Sequence, residues 1–222
     1  MEINVNKVYE QLKKEIINLD LTPGMKLREE DLAKRFNISR TPIRSVIARL
    51  ESEDLVVVIP QKGTYVTKID TGIVTDSIYI RKTIEIAVIH EIIASIDENQ
   101  IDVLDEILQE QKEIINLPYS IERSKKFFHN DNLFHKTIFS FAHKEGIWVQ
   151  IHTHATTLNR VRIMSNLRQQ TQVEKIYEQH CGLLECLRNH DFEGAKEILV
   201  DHIDGGFEGI AAVKEKYSDY FI

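Results

Sequence analysis

Prolines and strand-forming residues are concentrated in the first third of the chain, and this uneven distribution constrains the fold more than any other feature. Three of the four prolines lie within the first 60 residues, and Pro118 is the only one after residue 77. Two stretches rich in β-branched residues, 55–59 and 64–67, flank a four-residue turn and predict a β-hairpin. The remainder has apolar residues at helical spacing and little that would interrupt a helix. We therefore expect two structurally different parts that meet near residue 70.

The first part has the order helix, helix, helix, hairpin. Apolar spacing predicts a first helix that ends before Pro23-Gly24, a second at 29–36 and a third that begins after Ser39. The third helix has an apolar stripe on one side. Between Lys34 and Arg49 the chain has five basic residues and no acidic one. This third helix therefore offers one face to a core and another to a polyanion.

The basic face of the third helix is typical of DNA recognition. Arg40 lies in the exposed first turn, and Arg44 lies away from the apolar stripe. Residues at the start of a recognition helix reach base edges, while nearby cations hold phosphates. Lys62 and Gly63, at the tip of the predicted hairpin, would form a wing that reaches the DNA backbone. A merely solvated basic face is the alternative, but the helix-turn-helix spacing and the hairpin favour DNA.

The overall composition indicates an intracellular protein rather than a secreted or membrane-spanning one. A formal net charge of −7 excludes a uniformly basic nucleic-acid coat protein, but it permits a basic patch on an acidic body. Residues 1–70 carry 12 basic and 11 acidic side chains, whereas residues 71–222 carry 16 and 24. The two cysteines cannot form a disulfide framework, and no apolar run approaches the ~20 residues of a membrane span. We expect a cytoplasmic protein with no membrane partner.

The second part is expected to be an all-helical bundle of about six helices. The predicted helices are 71–97, 100–117, 120–142, 144–165, 170–189 and 191–216. The predicted fold class is mainly α, with an N-terminal winged helix-turn-helix and a C-terminal helical bundle. The expected domains are a DNA-binding domain at 1–69, a linker at 70–77 and a domain for effector binding and dimerisation at 78–222.

Four polar residues of the second part have the spacing of a metal site. Asp131 and His135 are four residues apart, so they project from one helix face. His180 and His202 each lie 11 residues from Asp191, in the predicted turn of an antiparallel helical hairpin, so they would sit at the same level. Three imidazoles and one carboxylate suit a divalent transition metal, with zinc first and nickel, iron or manganese as alternatives. Because helical histidines are more often surface or satisfied core residues, the chain's other histidines are assigned to that class.

Residues 5–68 resemble the winged helix-turn-helix of GntR-type bacterial transcription regulators. The resemblance is carried by 21–27, 31–33, 38–44 and 60–66, and its most specific part is the run Ser-Arg-Thr-Pro-Ile-Arg at 39–44. It implies dimeric binding to a short palindrome and contacts to operator DNA from Ser39, Arg40, Thr41, Arg44 and Gly63. Some members have an arginine near the start of the second helix where this chain is acidic, and Arg28 is the expected substitute.

Residues 78–215 resemble the FCD effector domain of the FadR branch of these regulators. The matching pieces lie around Asp131–His135, His180, Asp191 and His202. The resemblance implies that Asp131, His135, His180 and His202 hold one metal ion, and that a small carboxylate effector often completes its coordination. Arg81 is a candidate anchor for that carboxylate, since guanidinium and carboxylate form matched pairs. A salt bridge from Arg81 to Glu85 is the alternative, and Arg162 is a second candidate anchor.

These features together predict a ligand-responsive transcriptional regulator, expected to be a repressor, that binds double-stranded operator DNA as a homodimer. No catalytic residue is predicted, and the chain is not expected to be an enzyme. Two other interpretations stay open at this point. One is a DNA-binding protein whose helical part only dimerises. The other is a metal-dependent enzyme fused to a DNA-binding module, in which the metal would activate water.

Overall fold

The computed structural model describes residues 5–166 and 170–222, apart from the side chains at 153–154, 166, 170–172 and 206–209. The chain forms two compact units, one made of the residues up to Val74 together with Lys214–Ile222, the other of Thr75–Val213. The fold is mainly helical, with a small three-stranded sheet, as the sequence predicts. None of the helices in the described ranges is long and apolar enough to cross a membrane.

The first unit contains three helices and the sheet. Its elements are α1 (Val5–Ile17), β1 (Lys26–Leu27), α2 (Glu29–Phe36), α3 (Arg40–Ser52), β2 (Val56–Ile59) and β3 (Gly63–Val66). β3 lies between β1 and β2 and pairs antiparallel with both. The three helices and the β2–β3 hairpin have the predicted order. The sequence prediction missed β1, because two residues are too short to show an alternating pattern.

The predicted apolar stripe of α3 forms the centre of the first unit's core. Ile43 and Leu50 are fully buried and belong to one cluster with Leu12 and Ile16 of α1. Asn37 ends α2 in the left-handed conformation, with φ 51° and ψ 47°, which asparagine tolerates better than most residues. This turn fixes the start of α3. The opposite side of α3 is thereby left facing solvent.

The second unit is built from long helices. They are α4 (Thr71–Ile92), α5 (Glu98–Ile115), α6 (Ile121–Phe141), α7 (Glu145–His154), α8 (Thr156–Asn166), α9 (Gln170–Arg188) and α10 (Phe192–Lys216). The predicted single helix at 144–165 is divided at Ala155, whose ψ of 19° departs from the α-helical value. No proline or glycine marks this break. The described part of the bundle therefore has seven helices where about six were expected.

The boundaries between the parts differ from the expected ones at both ends. The expected linker at 70–77 is helical from Thr71, because the Asp70 carboxylate accepts a hydrogen bond of 2.7 Å from the backbone N–H of Gly72, as an N-cap does. At the other end, residues 214–222 belong to the first unit. There the Ile69 N–H donates to the Tyr220 carbonyl at 2.8 Å, and the buried Phe221 forms a β-bridge with Ile69.

Candidate DNA-binding surface, metal centre and ligand cavity

The four residues predicted at the start of the recognition helix all lie on the surface. Ser39, Arg40, Thr41 and Arg44 are exposed, whereas Ile43 between them is fully buried. Ser39 is the N-cap residue of α3, but its side chain makes no capping hydrogen bond. A row of hydroxyl and guanidinium groups is thus presented on one side of a helix that is anchored by its other side.

The acidic first turn of α2 faces the two arginines of this surface. Arg40 Nη2 lies 2.7 Å from Glu30 Oε1, and Arg44 Nε lies 2.9 Å from Glu29 Oε2. Apart from Glu29, whose side chain is 32% exposed, more than half of each side chain is accessible to water. Exposed ion pairs contribute only about 0–1 kcal/mol each, so phosphate groups can displace them. The acidic residues therefore moderate the charge of the recognition helix without removing it.

The predicted wing and the predicted substitute contact also lie on the surface of the first unit. Lys62 is exposed in the turn between β2 and β3. Gly63 has φ 117°, and a Cβ atom there would lie 2.9 Å from Lys26 Cε, so this position favours glycine. Arg28 is exposed as the residue that precedes α2. No geometry in the described residues assigns Arg28 a contact to DNA, and its role stays a prediction.

The four residues predicted as metal ligands converge in the second unit. One possible ligand atom from each of Asp131, His135, His180 and His202 can be chosen so that all lie within 4.8 Å of one another, and all four residues are buried. His135 Nε2 and His202 Nε2 are 3.1 Å apart, and His180 Nε2 is 3.7 Å from Asp131 Oδ1. Two ligand atoms bound to one zinc ion at about 2.1 Å in a tetrahedral arrangement lie about 3.4 Å apart. The observed separations bracket that value.

The helical hairpin of α9 and α10 explains why residues 22 positions apart in sequence meet. His190, in the turn, adopts a left-handed φ of 53°, and the Asp191 carboxylate accepts a hydrogen bond from the Gly194 N–H at 3.0 Å. The two helices run back along each other from this turn. As a result the rings of His180 and His202 have centroids 4.7 Å apart.

A chain of hydrogen bonds fixes the tautomer of His180. Asn130 Nδ2 donates to the backbone carbonyl of Ile107 at 3.3 Å, so Asn130 Oδ1 is free to accept from Gln111 Nε2 at 3.0 Å. Gln111 Oε1 then faces His180 Nδ1 at 2.8 Å, and His180 Nδ1 must be the donor. His180 Nε2 consequently carries a lone pair, which is buried and has no donor among the described residues. A lone pair that faces a carboxylate oxygen is the arrangement a cation would satisfy.

Glu85 performs the same role for His135. Glu85 Oε2 lies 2.7 Å from His135 Nδ1, and this contact directs the lone pair of His135 Nε2 toward His202. Burial alone would raise the pKa of Glu85, but Arg81 and His135 outweigh it and lower that pKa to about 2. Glu85 is therefore a carboxylate at neutral pH. It fixes a ligand histidine from behind without being a ligand itself.

The protonation states of the cluster are those that metal ligands need. Burial is the largest cause that lowers the pKa of His180 to about 3, and burial also holds the pKa of His202 well below its ordinary value. Burial would raise the pKa of Asp131, but Arg162 and the neighbouring histidines keep it well below its usual range. At neutral pH His180 and His202 are therefore neutral imidazoles, and Asp131 is an anion.

A cavity of about 290 Å³ lies in the same unit, and both predicted anchor arginines line it. Arg162 forms an ion pair with Asp131 and donates to Asn132 Oδ1 at 2.9 Å. Arg81 Nε donates to Glu85 Oε1 at 2.5 Å, which is the salt bridge considered as the alternative to an anchor role. Arg81 Nη2, however, is buried and has no partner within the described ranges. The salt bridge therefore leaves part of the guanidinium available.

Family comparisons agree with the division into a DNA-binding part and a helical part. The profile described as "Bacterial regulatory proteins, gntR family" matches residues 4–66, and the profile of the FCD domain matches residues 76–205. The chain belongs to the GntR family and carries an FCD domain. This GntR-family chain is a DNA-binding transcriptional regulator and not an enzyme, since its homologues are all regulators of that family. The interpretation as a fused metal-dependent enzyme is therefore set aside.

Individual relatives resemble this regulator over nearly its whole length. The HTH-type transcriptional repressor RspR of Escherichia coli (strain K12) is 29% identical over 217 residues, which are 97% of this chain and 92% of RspR. Among solved structures, E. coli McbR/YncC is similar with a TM-score of 0.73 and 19% identity, covering 96% of this chain and 98% of McbR/YncC. A GntR regulator from Rhodococcus sp. RHA1 also has a TM-score of 0.73, with 17% identity and coverage of 94% and 98%. These two structures support the fold.

The sequence did not reveal several residues that complete the cluster and the cavity of this GntR-family regulator. Gln111 and Asn130 carried no signal, because a buried glutamine and asparagine on helices look like ordinary polar residues. Glu85 was noticed only as a partner of Arg81. Asn159 and Trp148, which line the cavity, became visible once α7 and α8 were placed together.

The remaining histidines agree with their assignment where their side chains are described. His90 packs edge-on against Phe192, with ring centroids 4.7 Å apart. His190 Nδ1 lies 2.5 Å from the backbone carbonyl of Ile93. His152 stacks on Trp148 at the cavity wall. The side chain of His154 lies outside the described residues.

Proposed function

We propose that this regulator binds a palindromic operator as a homodimer, acts as a repressor in the cytoplasm, and is released by a small carboxylate bound beside a divalent metal ion. The observation that carries the proposal is the buried cluster of Asp131, His135, His180 and His202. Its ligand atoms converge, and one of its lone pairs has no donor in the described part of the chain. A purely structural cluster would be expected to satisfy that atom with a hydrogen bond.

The DNA-binding part of the proposal rests on α3 and the wing. Arg40 and Arg44 are long cationic donors on an exposed face, and arginine can make paired hydrogen bonds to guanine in the major groove. Ser39 and Thr41 would contact phosphates beside them, and Lys62 with Gly63 would reach the adjacent backbone. Two copies related by a two-fold axis would read two half-sites of opposite orientation, which is why a palindrome is expected.

The metal ion would be held by Asp131, His135, His180 and His202. When bound, the ion would supply a positive centre that can accept a carboxylate oxygen as a further ligand. Glu85 and Gln111 would keep the protons of His135 and His180 on Nδ1, so that both Nε2 atoms remain available. Arg81 Nη2, which has no partner in the described ranges, would donate to the carboxylate of the effector.

Release from DNA requires that the effector bind one arrangement of the dimer more tightly than another, because a ligand shifts an equilibrium only by its differential affinity. Arg162 is suited to transmit binding, since it contacts Asp131 and also lines the cavity. A carboxylate that draws Arg162 away from Asp131 would change contacts on both α6 and α8. We propose that this exchange alters the spacing of the two recognition helices.

The proposal is tested by selecting fragments of genomic DNA with the purified full-length protein and sequencing what binds. We expect enrichment of one short palindrome, bound by a dimer, with binding that weakens when a library of organic acids is added to the metal-loaded protein. Arg44→Ala should lose the enrichment, while Lys136→Ala, which removes one exposed positive charge from the helical unit, should retain it. Enrichment that no acid changes, with or without metal, would support the alternative in which the helical part only dimerises.

A further inference from the structure

The cavity that both arginines line is formed entirely within the helical unit. Its walls come from α4, α7 and α8, and its volume is about 290 Å³. An apolar cavity of about 150 Å³ is large enough to bind benzene. This cavity therefore has room for a body the size of one aromatic ring together with a small polar group, and little more.

The unpartnered buried polar atoms on the cavity wall are of one chemical type. Arg81 Nη2 and Asn159 Nδ2 are both buried, and neither has a hydrogen-bond partner in the described part of the chain. Both atoms are donors. Asn159 Oδ1 is oriented by Arg162 Nη1 at 3.4 Å, so the amide group of Asn159 directs its NH₂ elsewhere. A ligand that satisfies these two atoms must bring acceptors, and the positive charge of Arg81 favours an anion.

The other walls of the cavity are apolar. Trp148 and Leu158 are 6% and 3% exposed, and Ile151 and Ile80 complete this side. Trp148 is held in place by stacking on His152, with ring centroids 5.1 Å apart and an angle of 18° between the planes. A ligand body placed here exchanges water for hydrocarbon and indole surface. Such a surface stabilises a hydrophobic body and offers little to hydroxyl groups.

We infer that the effector is a monocarboxylate with a hydrophobic body about the size of one aromatic ring, and not a polyhydroxylated acid. This inference rests on the proposed function of the cavity as an effector site. Each hydroxyl of a sugar acid would leave water and require an acceptor, whereas both unpartnered buried atoms in the described walls are donors. The carboxylate would occupy the end that Arg81 and Asn159 define. The hydrophobic body would lie against Trp148 and Leu158.

Trp148 provides a direct measurement, because it is the only tryptophan in the chain. Its fluorescence would be titrated in the full-length protein, metal-loaded and metal-free, with phenylacetate, gluconate and phenethyl alcohol. We expect a saturable change with phenylacetate and at least about tenfold weaker binding of the other two. Gluconate has the charge without the hydrophobic body, and phenethyl alcohol has the ring without the charge. Binding of gluconate as tight as that of phenylacetate, or no saturable change with phenylacetate in either form, would overturn the inference.

Two variants test the two ends of the cavity separately. Asn159→Leu removes a donor, so it should weaken phenylacetate binding and leave phenethyl alcohol nearly unchanged. Ile80→Ser alters an apolar wall residue that is 48% exposed, so folding should not depend on it, and it should weaken both aromatic probes. Unchanged phenylacetate binding in both folded variants would place the ligand elsewhere.

The titration uses no DNA, so its result is independent of the proposed regulatory function. Operator binding that gluconate releases, combined with a Trp148 signal that phenylacetate leaves unchanged, would retain the function and reject this effector class. A saturable phenylacetate signal in a protein that selects no operator would have the opposite meaning.

Discussion

Replacing Gln111 by leucine should weaken metal binding although Gln111 is not among the proposed ligands. Gln111 is fully buried, and its Oε1 atom lies 2.8 Å from His180 Nδ1. Leucine is of similar size but has no acceptor. His180 would then be free to move its proton to Nε2, where Asp131 Oδ1 lies 3.7 Å away. That proton would have to leave before the metal could bind.

The size of the effect follows from the two hydrogen bonds that Gln111 makes. Loss of a group that orients a metal-bound histidine typically lowers metal affinity by about 10- to 100-fold. Because a factor of ten corresponds to about 1.4 kcal/mol, the expected loss of binding free energy is about 1.4–2.8 kcal/mol. The variant would also leave Asn130 Oδ1 without its 3.0 Å donor, which should lower the free energy of unfolding by about 1–3 kcal/mol.

The assay is a competition titration in which protein stripped of metal takes zinc from a chromophoric chelator. Gln109→Leu is the matched control, because Gln109 lies on the same helix but is exposed and bonds to Asp105 at 2.8 Å. Gln111→Glu keeps an oxygen toward His180 and should retain more affinity than Gln111→Leu. Equal zinc affinity in the wild type and in a folded Gln111→Leu variant would refute the proposed chain from Ile107 through Asn130 to His180.

Three further predictions concern the DNA-binding unit. Arg44→Ala should weaken operator binding by about 5- to 150-fold, or about 1–3 kcal/mol, with little change in the thermal midpoint, while Lys136→Ala changes neither; fluorescence anisotropy with the selected operator measures this. The double variant Glu29→Gln with Glu30→Gln should bind the operator and unrelated DNA about two- to tenfold more tightly at low salt, because the recognition arginines lose their acidic partners; equal or weaker binding would contradict this. Glu15 is buried and pairs with Arg35, which lowers its pKa against the effect of burial. A lowered pKa in the folded state adds stability above the unfolded pKa of about 4.5 and loses it as the pH falls. Chemical denaturation should therefore show Glu15→Gln to be less stable than the wild type at pH 7, with the difference shrinking below pH about 4; a difference independent of pH would refute the role of the charge.

The order of the elements could be predicted because local signals agree with the tertiary contacts. The α3 stripe was visible in the sequence and is the side of α3 that packs into the core. Pairing of His180 with His202 could be predicted because a turn lies midway between them, at Asp191, and antiparallel helices preserve equal distances from a turn. The Asp131–His135 pair needed only helical spacing.

The remaining features depend on contacts that the local sequence does not encode. Gln111 and His180 are 69 residues apart, and nothing near either residue indicates that they meet. The break at Ala155 has no proline or glycine, so periodicity alone continued the helix through it. The cavity required α4, α7 and α8 to be placed in space before its walls could be recognised.

The most direct test of this account is the metal content of the purified, tag-free protein, measured by elemental mass spectrometry alongside protein concentration. We expect about one zinc, nickel, iron or manganese ion per chain in the wild type, little in His180→Ala and His202→Ala, and full content in His90→Ala, since His90 lies outside the cluster. A folded wild-type protein that holds no metal, even after reconstitution with each of the four ions, would contradict the proposed metal-assisted effector site.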